Sequence, residues 1–349
     1  MPLDTVEHLH EHLRLAGIVE LTTIPTYLYA MYSLDDPSSD AAKLIRSVAV
    51  EEMLHLALVG NLLLGTGGEP SFYAPESIPS YPLALPHHVP ETIVSLEPCS
   101  RGVIRDLFMV IERPAELGSP AEADEYETLG QFYSAIELAV KNMEPFDNPR
   151  LDRQLSDPAF YNPVKFDTAD SGGLVGIHDC DTALAAMEII IHQGEGVGDH
   201  HYADPDHREL THYYKFEQLA DGVVEIGLVR PVMSNPHVVD FPPYIRPVAT
   251  LANALYSFVL YVMDEIYAPG SDVNALISDL YGAMAGLLSP VAHYLTTLDV
   301  GGDYVASPTF EFYQFQEDPR QEIVEIARSL VDDHPHLEPV VHQIVKRWG

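Results

Sequence analysis

The chain is poor in cysteine and in basic residues. Cys99 and Cys180 are the only cysteines among its 349 residues. Two thiols are too few for a disulfide framework or a thiolate metal cage, which excludes zinc-finger and iron–sulfur proteins. Lysines and arginines number 18 against 53 aspartates and glutamates, so the formal net charge is −35. Because so acidic a chain repels phosphates and anionic headgroups, we predict no nucleic-acid partner and no membrane partner.

Long apolar runs are also missing. No stretch of 18 or more consecutive apolar residues occurs, so the sequence predicts no transmembrane helix. The first eleven residues carry acids and histidines instead of the basic-then-apolar order of a secretory signal. We therefore expect a cytoplasmic protein. Its 46% of apolar residues are sufficient for a full core.

Helical periodicity dominates what is present, and it predicts an all-α protein. Two stretches rich in proline or glycine, 66–118 and 143–178, look mostly irregular, and their length is typical of pocket walls. Pro25 is expected to kink the first helix or to break its hydrogen bonding locally. The predicted helices cover residues 7–32, 40–64, a short piece near 100–110, 122–142, 180–193, 206–219, 249–267, 272–298 and, last, 317–333.

The clearest functional signal lies in the second helix, where Glu52 and His55 are three residues apart in a run that is otherwise apolar. This spacing places both side chains on one helix face, and an unpaired acid or imidazole there would be costly. A bound cation removes that cost. Glu20, midway along the first helix, is expected to face the same core. Glu51 points about 100° away from Glu52 and is predicted to face solvent.

A second carboxylate and imidazole pair is predicted near His212. Either Glu195 or Glu209 can accompany this histidine, and we favour Glu195, brought close if the residues after it loop out. Glu188 and His192 share a stripe with Glu195, and their role stays open.

The third helix is expected to supply one more ligand. Gln131, a weaker neutral ligand, and Glu137 are the two candidates. Tyr133 lies on the same helix. Oxygen and imidazole ligands favour iron, with manganese or zinc as alternatives, and the number of ions, one or two, stays open.

Several stretches resemble a known family, the ferritin-like domain of iminophenylpyruvate dimer synthases from violacein and rebeccamycin type pathways. The similar residues are 15–28, 45–56, 129–133, 193–196 and 211–216, with a similar tail around 253–257. The resemblance implies a ferritin-like four-helix bundle with long irregular insertions and extra C-terminal helices. We accordingly expect a metal-binding bundle over 1–225 and a C-terminal helical extension, packed on it, over 226–349.

The resemblance also implies a set of metal ligands and an activity. Matching motifs would make Glu20, Glu52, His55, Glu195 and His212 the ligands, whereas Gln131 replaces the family's usual glutamate. The family's named members couple two oxidised aromatic amino-acid units and are much larger than this chain.

We therefore predict a metal-dependent oxidative enzyme of specialised metabolism. It would use dioxygen or peroxide on a small amino-acid-derived or aromatic substrate, and a homo-oligomer is one of the assembly states left open. Tyr133 and Tyr213 are the predicted catalytic residues, although packing is an alternative role for the tyrosines near the site. The alternative function is that of a non-enzymatic metal-binding or partner-binding protein.

Overall fold

The computed structural model describes residues 3–116, 118–161, 172–194 and 210–349. These residues are mostly helical, which confirms the predicted all-α class. The helices are α1 (Val6–Ser33), α2 (Asp40–Gly65), α3 (Arg101–Val103), α4 (Met109–Ile111), α5 (Leu129–Met143), α6 (Cys180–Gln193), α7 (His212–Ala220), α8 (Arg246–Ile266), α9 (Val273–Tyr281), α10 (Ser289–Leu295), α11 (Pro319–Arg328) and α12 (Glu338–Trp348).

Shorter elements complete the described chain. A π-helical turn at Ile104–Phe108 joins α3 to α4, and another at Gly282–Leu288 joins α9 to α10. The other short elements are two antiparallel strand pairs and three 3₁₀ turns. They are β1 (Leu83–Ala84) with β2 (Ile93–Val94), β3 (Asp299–Gly301) with β4 (Tyr304–Val305), and the turns Leu151–Arg153, Val238–Asp240 and Pro335–Leu337.

Helices α1 and α2 form the hairpin that carries most of the site. Thr5 caps α1 by accepting a hydrogen bond from the backbone N–H of His8, and Ser39 caps α2 in the same way through Ala42. The helix α1 runs through Pro25 without ending, although proline has no N–H to donate within the helix. Both helices are apolar on most sides, because they lie in the core.

The third long helix begins later than the sequence predicts, at Leu129 instead of residue 122. The backbone before it is used elsewhere: Tyr126 N–H donates to His87, and Val89 N–H donates to Tyr126. Thr128 then caps α5 by accepting from the N–H of Gln131. Pairing with the segment around 87–89 thus prevents the helix from starting earlier.

The C-terminal part contains a helix that the sequence analysis missed. The last predicted helix, 317–333, is α11, and α12 follows it after the break at Pro335. The predicted helix 272–298 is likewise divided by its π-helical turn. The boundary predicted between residues 225 and 226 stays a prediction.

The C-terminal helices contact the α1–α2 hairpin directly. The hydroxyl of Tyr267 donates to the carbonyl of Ala57 at 2.8 Å, and a Cβ added at Gly60 would lie 2.7 Å from the Tyr267 ring. Gly60 therefore permits a close approach between α2 and the residue that follows α8.

Two helical stretches in the described part of the chain are long and apolar enough to span a membrane by length and composition. They are Asp40–Gly65 and Val273–Leu295. The first is a core helix, since 89% of its apolar window is buried inside the protein, against 39% for the second. Length and composition of this kind are weak indications, so the absence of a membrane partner stays a prediction.

Candidate metal centre

Five ligand-type side chains from separate parts of the chain meet inside the bundle. Each is no more than 3% exposed. They form two groups in which one ligand atom per residue lies within 4.8 Å of the others, and Glu52 belongs to both groups. The first group is Glu20, Glu52 and His55, and the second is Glu52, Glu112 and His212.

His55 faces the first group with its Nδ1 atom. This nitrogen lies 3.1 Å from Oε2 of Glu52 and 3.4 Å from Oε2 of Glu20. The other ring nitrogen, Nε2, donates to Oε1 of Gln193 at 2.9 Å. In the neutral imidazole the ring proton is then on Nε2 and the lone pair on Nδ1 points at the carboxylates, whereas in the protonated ring Nδ1–H donates to Glu52.

His212 is held in the same way on the opposite side of Glu52. Its Nε2–H donates to Oε2 of Glu51 at 3.0 Å, and the same oxygen accepts from Nζ of Lys215 at 2.6 Å. Its Nδ1 lies 3.1 Å from Oε1 of Glu52 and 3.4 Å from Oε2 of Glu112. A carboxylate that fixes the outer nitrogen of an imidazole is a common support for a metal ligand.

The buried location of Glu51 corrects one sequence-based prediction. We expected this residue to face solvent, but it is only 1% exposed. The prediction assumed that α2 has a solvent side, whereas residues on most faces of its second half are buried. Glu51 supports His212 from the side opposite Glu52.

The arrangement fits a cation. Nδ1 of His212 is buried and has no hydrogen-bond partner, although two carboxylate oxygens lie close to it. Acceptors that face one another without a shared proton repel, and a metal ion between them converts this repulsion into ligation. A cavity of about 20 Å³, bordered by Glu20, Glu52, His55 and Glu112, leaves room for a particle about the size of a water molecule.

The close carboxylates also change the pKa values of the groups at the centre. Burial would lower the pKa of His212, but the carboxylates of Glu112 and Glu52 raise it well above its usual value. Burial raises the pKa of Glu52, and the neighbouring charge of Glu112 raises it further. Protons therefore occupy this centre readily when no metal does, as is typical of sites where like charges converge.

Two tyrosines donate to the carboxylates. The hydroxyl of Tyr133 donates to Oε1 of Glu20 at 2.5 Å, and that of Tyr27 donates to Glu112. Burial first, and the neighbouring carboxylate second, raise the pKa of each hydroxyl, so both keep their protons. The structure places Tyr133 at the centre, and its catalytic role stays a prediction. The predicted Tyr213 is half-buried instead, with its ring edge-on to Tyr214.

The side chain expected at the centre from the third helix is absent there among the described residues, and a carboxylate from another part of the chain takes its place. Gln131 uses its amide to accept from the N–H of Glu127 and to donate to the carbonyl of Pro120, and Glu137 pairs with Lys141 near the surface. Glu112, which directly follows α4, provides the carboxylate. Sequence reasoning missed Glu112, because it ends a short π-bulged helix that has little periodic signal.

Gln193 is another site residue whose role the sequence did not reveal. Residues 193–196 carry part of the family resemblance, and the Gln193 side chain accepts a hydrogen bond from Nε2 of His55. A Cβ added at Gly194 would lie 3.6 Å from Oε2 of Glu112, so this glycine borders the centre.

Glu195 and Glu209, the two candidates to accompany His212, lie outside the described residues. The role of Glu188 and His192 was left open. Nε2 of His192 lies 3.6 Å from Oε1 of Glu188, and neither residue belongs to the two groups at the centre. Both border a cavity of about 430 Å³ that we call the vestibule. The vestibule and the small cavity at the carboxylates share Gly130 and Ile191 as walls.

A different cavity, of about 340 Å³, lies between the α1–α2 hairpin and the C-terminal helices. Its walls are mainly apolar and include Leu28, Met53 and Met263. This cavity shares no wall residue with the small cavity at the carboxylates, whereas the vestibule shares Gly130 and Ile191 with it and therefore lies next to the centre.

Comparison with known families decides the classification. A family model described as Ferritin-like matches residues 13–221, more than half of the chain. The chain belongs to the Ferritin-like family. The match includes all five ligand side chains and both tyrosines that donate to them.

Known members with similar sequences include two curated proteins. A dichlorochromopyrrolate synthase from Lentzea aerocolonigenes is 24% identical over 89% of this chain and 36% of its own length. A 2-imino-3-(indol-3-yl)propanoate dimerase from Chromobacterium violaceum is 22% identical over 86% of this chain and 33% of its own length. The chain thus spans about a third of the length of these relatives.

A solved structure has the same fold. The ferritin like protein from Caulobacter vibrioides superimposes with a TM-score of 0.60, over 88% of this chain and all of that one, at 22% identity. This likeness extends beyond the family-model match into the C-terminal helices.

Proposed function

We propose that the protein is a metal-dependent oxidative enzyme that acts on a small, amino-acid-derived aromatic substrate. The observation that carries the proposal is the pair of imidazole–carboxylate groups that share Glu52. Two adjacent ligand groups with one common carboxylate favour two ions over one. Iron is the metal that we propose, with manganese or zinc as alternatives and dioxygen or peroxide as the co-substrate.

The names of the relatives support the substrate class. One is a dimerase of an indole-bearing imino acid and the other a synthase of dichlorochromopyrrolate. Since this chain has about a third of their length, their whole reactions do not carry over, and we propose only an oxidative step on a related small molecule.

The residues have separable roles in this proposal. Glu20, Glu52, His55, Glu112 and His212 would hold the metal, which supplies the oxidising chemistry. Gln193 and Glu51 orient the two imidazoles. Tyr133 and Tyr27 hold protons against the carboxylates, and burial of the whole centre excludes water.

The vestibule is the proposed route for the substrate. It has the volume of a typical small-molecule site and is lined by polar as well as apolar residues. Its wall also carries the ion pair of Lys141 with Glu137 at 3.4 Å.

The test measures metal content and oxygen uptake together. Metal-depleted full-length protein is loaded with Fe²⁺ without oxygen, the bound iron is counted, and oxygen uptake is then followed with aromatic imino-acid substrates. We expect two ions per chain and substrate-dependent uptake. Glu112→Gln should retain one ion, because the group of Glu20, Glu52 and His55 is intact, and should lose uptake. Glu127→Gln, at an exposed glutamate, is the matched control.

The possible results separate the candidate functions. If the wild type binds iron but takes up no oxygen with any substrate, the proposed enzymatic function is wrong and a non-enzymatic metal-binding function is supported. No stoichiometric iron in the wild type would overturn both.

A further inference from the structure

A second group of metal-type ligands lies away from the centre. It consists of His12 on α1, His87 between strands β1 and β2, and Asp124 before α5. One ligand atom from each residue lies within 4.8 Å of the others. Since a rise of 1.5 Å per residue separates His12 from Glu20 by about 12 Å along α1, this group is distinct from the five ligands.

Backbone carbonyls fix the orientation of both imidazoles. Nδ1–H of His12 donates to the carbonyl of His8 at 2.9 Å, and Nδ1–H of His87 donates to that of Ala123 at 3.1 Å. Each ring is therefore left with the lone pair on Nε2. Metal-bound histidines typically donate their other ring N–H to a carbonyl or a carboxylate in this way.

The Nε2 atom of His12 points to a missing ligand. It is buried and has no hydrogen-bond partner, while Oδ1 of Asp124 lies 3.5 Å away. An imidazole lone pair and a carboxylate oxygen repel unless a cation lies between them. Asp124 makes a further polar interaction of its own, whereas both imidazoles present their Nε2 lone pairs.

The backbone at His87 is also unusual. This residue has a φ of 60°, a conformation that residues other than glycine rarely adopt. Its carbonyl accepts from the N–H of Tyr126, which holds the segment beside Asp124. Strained backbone of this kind concentrates at ligand-binding positions.

We propose that His12, His87 and Asp124 form a second, peripheral binding site for a divalent cation of the zinc type. Two imidazoles and one carboxylate, with a water molecule as fourth ligand, are a common zinc environment. Ligand atoms lie about 2.0–2.2 Å from zinc, so atoms within 4.8 Å of one another converge on one ion after small side-chain rotations.

The ion would join α1 to the two segments that precede α5. The ring of His12 lies 6.2 Å from that of Phe132, and the neighbouring Tyr133 donates to Glu20. The peripheral site would thus stabilise the position of α5 relative to α1 without touching the centre.

The experiment counts zinc in metal-depleted full-length protein by competition with a chromophoric chelator. The main variant is His87→Asn, since His87 is exposed and asparagine tolerates a positive φ. His178→Asn is the matched control, because His178 is an exposed histidine paired with Asp179 at 3.0 Å and has no third ligand among the residues that the structure describes. Asp124→Asn is a second test variant.

We expect His87→Asn and Asp124→Asn each to bind one zinc ion fewer per chain than the wild type, and His178→Asn to bind the same number. Cobalt titration should give the same difference in visible absorption. Equal zinc numbers and affinities in the wild type and His87→Asn would overturn the proposal and leave a simple contact between His12 and Asp124. Because the centre is unchanged in these variants, this result is independent of the proposed oxidative function.

Discussion

At the scale of single residues, the orientation of each imidazole at the centre depends on the residue that accepts a hydrogen bond from its Nε2 atom. Glu51 accepts from His212 and from Lys215, and this chain of contacts is buried, with Lys215 only 8% exposed at its side chain. The negative charge of Glu51 makes the inner nitrogen of His212 a stronger ligand. Glu51 would therefore act on a bound metal through His212 without touching it.

Glu51→Gln keeps the shape of the side chain but removes its charge. We expect metal affinity to fall about 10–100-fold while the number of ions bound at saturation stays the same. Isothermal titration of metal-depleted protein with Mn²⁺ measures both quantities. Glu188→Gln, at an exposed glutamate, is the control and should bind as the wild type does. Unchanged affinity in Glu51→Gln would show that Glu51 serves packing alone.

At the scale of helices and strands, periodic patterns predicted the site residues that lie on regular helices and missed the one that does not. Glu20, Glu52 and His55 lie on long, regular helices, and the structure brings them together as spacing and burial indicated. Glu112 follows a π-helical turn, where no regular spacing predicts which side a residue faces. The prediction that Glu51 faces solvent was wrong, because it assumed an amphipathic pattern for a helix that is buried on most sides.

A contact between elements supplies a prediction of pH dependence. The carboxylate of Asp264 on α8 accepts from the backbone N–H of Phe72 at 2.7 Å and of Tyr73 at 3.0 Å. Burial raises the pKa of this carboxyl from 3.8 to about 6. The folded protein therefore binds more protons here than the unfolded chain, so this contribution to stability is present below pH 4 and is lost as pH rises through 6.

Comparison with Asp264→Asn isolates this contribution. The free energy of unfolding of the wild type minus that of the variant should fall by up to about 3 kcal/mol between pH 4 and pH 7. Urea unfolding at a series of pH values provides the measurement. Asp303→Asn, at an exposed loop aspartate, is the control. A difference that stays constant, or that rises with pH, would contradict the assigned burial effect.

At the scale of the whole molecule, the centre connects distant parts of the chain. Its five ligand-type side chains come from α1, α2, the residue after α4, and α7, and the C-terminal helices contact the hairpin from another side. Buried carboxylates without a counter-ion would destabilise the packing of these parts against one another, because burial of each charge costs several kcal/mol of folding free energy. We therefore expect a metal bound at this centre to stabilise the entire bundle.

Removal of the metal tests this coupling. A ligand present at 100 times its Kd stabilises the folded state by about 2.7 kcal/mol, which raises Tm by several degrees in a chain of this size. In the His87→Asn background, where the peripheral site is absent, we expect Mn²⁺ to raise Tm by this amount relative to the chelated protein. Adding Glu52→Gln should abolish the response, since Glu52 belongs to both ligand groups. If the chelated and Mn²⁺-loaded proteins melt at the same temperature, the five side chains do not bind a cation.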